Sequence, residues 1–126
     1  MVILDTSTII DVSRGNGRAV AAVRKARQEG EAMTASAITL FELAASTPAG
    51  LGEKMRELLK AVDVVEFGPA QAEAAAAAYS ELRGKGEDIG VLDAMIAGTA
   101  LCARQALITG NAKHFKRVRG LETITY

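Results

Sequence analysis

The feature that most constrains this chain is an alternation. Short runs rich in β-branched and other apolar residues ("VILD", "AMTAS", "VDVVEF", "ALIT", "ETITY") are separated by longer stretches with helical spacing. Strands alternating with helices in a small chain imply an α/β fold with a mostly parallel central sheet. The first strand reads as Val2–Asp5, and Thr6, Ser7 and Thr8 then offer N-cap hydroxyls for a short helix that fails at "RGNG", Arg14–Gly17. A second helix carries Ala19, Val20, Val23 and Ala26 at helical spacing and ends at Gly30. "AMTAS" leads into a helix from about Ala37 to Ser46, with Ser36 as its cap. After a break at Pro48–Gly52, Glu53–Ala61 reads as a helix and Val62–Phe67 as a strand. Pro69 suits the first turn of an alanine-rich helix, and the glycines at 84, 86 and 90 open a loop before the helix "VLDAMIAGTALCARQ". "ALIT" is a strand, "NAKHFKRV" a helical turn or two, and "ETITY" a final strand.

At 126 residues the chain makes one domain, long enough for a single core and too short for two. Apolar residues at 49% and charged residues at 24% exclude a disordered tail, and no apolar run approaches the roughly 20 residues of a spanning helix. No basic stretch precedes the short apolar run at the N-terminus, so a signal peptide is not expected. Cys102 is the single cysteine and can form no internal disulfide, which fits a reducing cytoplasm. Formal net charge is zero, so only a local basic patch can point to nucleic acid.

Three acids stand where acids are costly. Asp5 closes an apolar strand. Glu42 has Ile38, Thr39, Ala45 and Ser46 as its helical neighbours, and Asp93 has Ile89, Gly90, Ile96 and Ala97. An ionised carboxylate on such a stripe loses several kcal/mol of hydration unless something compensates, and no Lys or Arg lies within helical reach of Glu42 or Asp93. One such acid alone is more often a helix cap or half of a buried ion pair. Three inward-facing carboxylates from separate elements suit a hard divalent ion, which takes oxygen ligands and serves phosphoryl chemistry. Asp5 and Thr109 also fall at strand ends, where ligands gather in open α/β sheets. Asp11, Asp63, Glu66, Glu87 and Asp88 read as solvated charges, and the lone His114 as a surface or structural residue.

"LDTSTIID" with Asp5, "TASAITLFEL" with Glu42, "IGVLDAMIAGTAL" with Asp93, and "LITGNAKHF" together resemble a PIN-domain ribonuclease, in particular the VapC toxins of toxin–antitoxin pairs. The resemblance runs over nearly the whole chain and is most specific around Asp93. It implies a three-layer α/β/α fold and a Mg²⁺- or Mn²⁺-dependent endoribonuclease. Asp5 and Asp93 would bind metal, Glu42 would bind it or position the attacking water, and Thr6, Ser7 and Thr109 would hydrogen-bond the carboxylates or a phosphate oxygen. It also implies a homodimer and a small antitoxin covering the active-site groove. One departure stands out. Many members carry a fourth acid at the position of Asn111 or of His114, and this chain has one at neither. Asn111 still offers a carbonyl oxygen and His114 an imidazole, whose coordination would favour Mn²⁺; the preferred reading is that His114 contacts RNA or solvent.

The same segment holds Lys113, His114, Lys116, Arg117 and Arg119, a basic run suited to a phosphate backbone. Other classes fit less well. A phosphatase of the haloacid-dehalogenase type needs a second Asp where Ser7 stands, a receiver domain needs an acidic pair near its first strand, and "GNG" follows a helix and lacks a third glycine. The serious alternative is a catalytically weak PIN-like module that binds RNA or protein. Keeping three acids at a dead site argues against it.

Overall fold

The structure, a computed structural model, describes all residues from Met1 to Tyr126. In chain order the elements are β1 (Val2–Leu4), α1 (Thr6–Ser13), α2 (Gly17–Gln28), β2 (Met33–Ser36), α3 (Ala37–Ala45) and α4 (Glu53–Leu59), then β3 (Asp63–Val65), α5 (Pro69–Gly84), α6 (Val91–Ala103), β4 (Ala106–Thr109), α7 (Ala112–Phe115) and β5 (Thr123–Thr125). The strands form one sheet in the order β3-β2-β1-β4-β5. Every pairing is parallel, so the sheet expected to be mostly parallel is wholly so.

Side chains alternate across this sheet, as the period of two in a strand requires. Ile3 and Leu107 enter a cluster with Leu82, Ile96 and Phe115 from α5, α6 and α7. Val2, Leu4 and Ile108 enter a second cluster with Ile9, Ala26 and Leu43 from α1, α2 and α3. The single core expected from chain length is therefore two, one on each face, because a parallel sheet is covered by helices on both sides. The result is a three-layer α/β/α fold.

The alanine-rich composition of α5 answers to its partner. It packs along α6, and a Cβ placed on Gly98 would fall 2.5 Å from the backbone nitrogen of Ala75. Only small residues allow that approach. Three boundaries differ from the sequence expectation. The cap of α1 is Asp5, whose Oδ1 accepts from the Thr6 N–H, while the hydroxyls expected there are turned to other partners. Helix α6 stops at Ala103 because Arg104 takes a left-handed conformation, φ 54°. Strand β3 is only Asp63–Val65, an edge strand with one neighbour and Val64 exposed.

The strand order sets the place for a site. From central β1 the chain steps outward to β2 and β3 on one side, then crosses to β4 and β5 on the other. Between β1 and β4 the order reverses, and a crevice opens at the carboxyl ends of such a pair. Leu4 pairs with Ile108 there, so Asp5 and Thr109 emerge side by side.

Candidate active site at the carboxyl ends of the strands

Asp5 is buried, 4% exposed, and its oxygens are held by short hydrogen bonds. Oδ1 accepts from the Thr6 N–H at 2.9 Å, and Oδ2 accepts from Ser7 Oγ and Thr109 Oγ1, each at 2.8 Å. Ser7 Oγ in turn accepts from the Gly110 N–H at 3.2 Å, and Thr109 Oγ1 from the Asn111 N–H at 2.9 Å. Burial pushes the Asp5 carboxyl above its ordinary 3.8; the bonds from Thr109 and Ser7 oppose this, and the charge of Asp93 adds to it. No cation compensates, since none of the ion pairs in the structure includes Asp5.

Glu42 is half-buried on α3 and receives a 2.7 Å hydrogen bond from Thr6 Oγ1, which also lies 3.1 Å from Thr39 Oγ1. Adjacent residues Thr6 and Ser7, in the first turn of α1, thus serve two different carboxylates. Glu42 has no ion-pair partner either.

Asp93 lies in the first turn of α6, where the helix dipole favours negative charge. Its Oδ2 is 3.0 Å from His114 Nδ1, and that nitrogen is 2.9 Å from Asn111 Nδ2. His114 is therefore part of the carboxylate cluster and not a bystander on the surface. Lys113, Lys116 and Arg117 are exposed beside it, whereas Arg119 leans away to Glu81 at 3.4 Å.

Two residues of this neighbourhood escaped sequence reasoning. The Tyr126 hydroxyl donates to Asp11 Oδ2 at 2.6 Å, and a Cβ on Gly110 would fall 2.8 Å from that hydroxyl. Burial and the bond to Asp11 push the Tyr126 phenol up to about 12. Asp11 is accordingly half-buried and partnered, a correction to its reading as a solvated charge. The contact joins opposite ends of the chain, so no local pattern announces it. The largest surface cleft, about 470 Å³ between α2 and β5, reaches Tyr126 but contains none of the three carboxylates.

The residues present fit a divalent cation in an open site. Asp5 and Asp93 are near enough that one charge raises the pKa of the other, and no Lys or Arg offsets them. No three His, Cys, Asp or Glu side chains close into a full ligand set. That combination suits an ion held by one or two carboxylates, with waters and a substrate phosphate completing its shell.

The model of the PIN domain family matches residues 2–121. In structure the chain is similar to VapBC2 from Rickettsia felis bound to a DNA fragment from its promoter, with a TM-score of 0.87 and 22% identity over 100% of this chain and 99% of that one. It is also similar to DNA-bound VapBC from Salmonella typhimurium, with a TM-score of 0.80 and 26% identity over 99% and 98% of the two chains. VapBC-1 from nontypeable Haemophilus influenzae gives a TM-score of 0.84 and 24% identity over the same shares. No curated protein is significantly similar in sequence. Almost its full length matches one family model and its fold matches toxin–antitoxin structures end to end: the chain belongs to the PIN domain family.

Proposed function

We propose that this chain is a metal-dependent endoribonuclease, the toxin of a type II toxin–antitoxin pair. The observation that carries the reading is Asp5: a buried carboxylate without a cation, in the field of Asp93, at the point where the strand order of a PIN domain reverses. Asp5 and Asp93 would hold Mg²⁺ or Mn²⁺, with Glu42 as a third ligand or as the group that orients the attacking water. When bound, such an ion supplies charge neutralisation at a phosphate and a more acidic water. The chain's own residues do the positioning. Ser7 and Thr109 fix both bonds to Asp5 Oδ2, so one rotamer of that carboxylate is selected. Thr6 fixes Glu42, leaving its second oxygen free to accept a proton or a hydrogen bond. Asn111 is tied to Thr109 through its N–H, and Lys113, Lys116 and Arg117 lie next to it as phosphate contacts.

The similar VapBC structures support an antitoxin as partner, covering the groove over these acids. Phe41, next to Glu42, and Val91 and Leu92, next to Asp93, are exposed large apolar side chains, which supports a homodimer. No helix is long and apolar enough to cross a membrane. We assign the activity to the cytoplasm, where RNA is available.

The test is cleavage of a pooled structured RNA by purified protein with Mg²⁺, with Mn²⁺ and with EDTA, beside Asp5→Asn and Asp93→Asn. Metal-dependent cutting lost in both variants supports the nuclease. A folded, antitoxin-free protein that cuts under no metal moves the reading to an RNA- or protein-binding module.

A further inference from the structure

Gly110 is a glycine without a conformational reason. Its φ is not positive, unlike that of Gly90 or Gly120, so other residues could take its backbone shape. What it supplies is room. A Cβ there would fall 2.8 Å from the Tyr126 hydroxyl oxygen, 3.2 Å from Tyr126 Cζ and 3.3 Å from Asp11 Oδ2. The missing side chain admits the Tyr126–Asp11 pair against the turn that follows β4.

The sheet register explains why these residues meet. Thr125 of β5 pairs with Thr109 of β4, so Tyr126 and Gly110 leave the sheet side by side. Ile124 and Tyr126 both pack on the cluster around Ile9 and Ala26, on the face covered by α1 and α2. On α1, Ser7, Thr8 and Asp11 share one side by their spacing of three and four. The Tyr126 hydroxyl donates to Asp11 Oδ2 at 2.6 Å, and the Ser7 and Thr8 hydroxyls lie close enough to act on the phenol. With that phenol pushed up to about 12, Tyr126 stays protonated and remains a donor at neutral pH.

Two points therefore hold α1 to this end of the sheet. Thr8 Oγ1 donates to Ile108 O at 2.8 Å, and a helix pinned there alone can still pivot. The Tyr126–Asp11 bond is the second point. We propose that Tyr126 is a positioning residue for the Asp5 site: through Asp11 it fastens α1 to the turn after β4, and so holds Ser7 between the Gly110 N–H and the Asp5 carboxylate. Ser7 Oγ accepts from Gly110 at 3.2 Å and donates to Asp5 Oδ2 at 2.8 Å. When α1 pivots, that carboxylate oxygen is left to Thr109 alone and its rotamer is no longer fixed. A misplacement of about 1 Å in a reacting site can cost on the order of a hundredfold in rate. The inference rests on the metal-nuclease reading and adds a residue that no pattern of acids reveals.

The test compares the wild type with Tyr126→Phe, Ser7→Ala and the double variant, by cleavage of an RNA that the wild type cuts and by amide hydrogen exchange without RNA. Tyr126→Phe keeps the ring and removes only the hydroxyl. Its Gly110 amide is expected to exchange about tenfold faster, the worth of one hydrogen bond. The Leu107 amide, which donates to Glu122 O, should stay protected and show β5 still in place. Cleavage should lose about tenfold in kcat with KM little changed, as for loss of a group that orients a metal ligand. Gly110→Ala, whose methyl must push the hydroxyl aside, is expected to reproduce that loss. The double variant should fall no further than Ser7→Ala, because both changes act through one bond. Unchanged Gly110 exchange, unchanged kcat or additive losses each overturn this inference and leave the nuclease standing. A wild type that cuts no RNA with Mg²⁺ or Mn²⁺ overturns both.

Discussion

At Asp5 burial and hydrogen bonding act against each other, and burial prevails. The carboxyl is raised above 3.8 despite three donors, because loss of water outweighs what Thr109, Ser7 and Thr6 return and Asp93 adds repulsion. The linkage has a definite sign. A folded pKa above the unfolded one means that the native state binds the proton more tightly, so the contribution is full below pH 3.8 and is lost as pH rises through the folded value. At neutral pH and without metal, the ionised Asp5 therefore costs stability. We expect Asp5→Asn in EDTA to melt at or above the wild-type temperature at pH 7, with the gap closing as pH falls toward 4, while RNA cleavage is abolished. Thermal scans across that pH range check it. A variant melting well below wild type at pH 7 would mean that the hydrogen bonds dominate. The three acids themselves were legible in the sequence, because a carboxylate on an apolar stripe violates a local pattern. Their partners were not. Asp93–His114 and Asp11–Tyr126 join residues 21 and 115 positions apart, and only the folded topology brings them together.

Among the elements, the same contrast between local and distant information holds. The strands and long helices follow from periodicity, so their order was readable in advance. Their ends were less so, since β3 is trimmed by having one neighbour and α6 is stopped by Arg104 adopting a conformation that no sequence pattern marks. One close contact between elements is likewise invisible until helices pair. Gly98 on α6 sits against Ala75 on α5, and an added methyl would lie 2.5 Å from the Ala75 nitrogen and 2.7 Å from its Cα. Backbone atoms in a helix cannot yield as a flexible side chain does. Although alanine favours helices by about 1 kcal/mol over glycine, the clash should outweigh that gain. We expect Gly98→Ala to destabilise the fold by about 1–3 kcal/mol in urea denaturation. A stabilised Gly98→Ala protein would show that α5 and α6 can move apart freely, and the three-layer packing around Ile96 and Leu82 would need revision.

For the whole molecule, a net charge of zero conceals a separation of charge that bears on the proposed RNA substrate. Carboxylates occupy the crevice and would repel a polyanion; Lys113, Lys116 and Arg117 are exposed on the segment that immediately follows Thr109 and can hold the strand against that repulsion. Arg119 lies 3.4 Å from Glu81 of α5 in a solvent-exposed pair, so it is left out of this set. Each cation that meets a phosphate releases a counterion, with a slope of about 0.7 per contact for single strands on a log–log plot of affinity against salt. Loss of three contacts should lower the slope by about 2. We therefore expect a Lys113→Gln, Lys116→Gln, Arg117→Gln variant to bind RNA more weakly at low salt and to respond less to added salt. Its melting temperature should match wild type, since all three side chains are exposed. Fluorescence anisotropy with labelled RNA, in the Asp5→Asn background expected to be inactive, separates binding from cutting. Equal slopes in the triple variant and its parent would place the RNA path on another face, and the acids would then have to be reached from the α3 side, past Phe41.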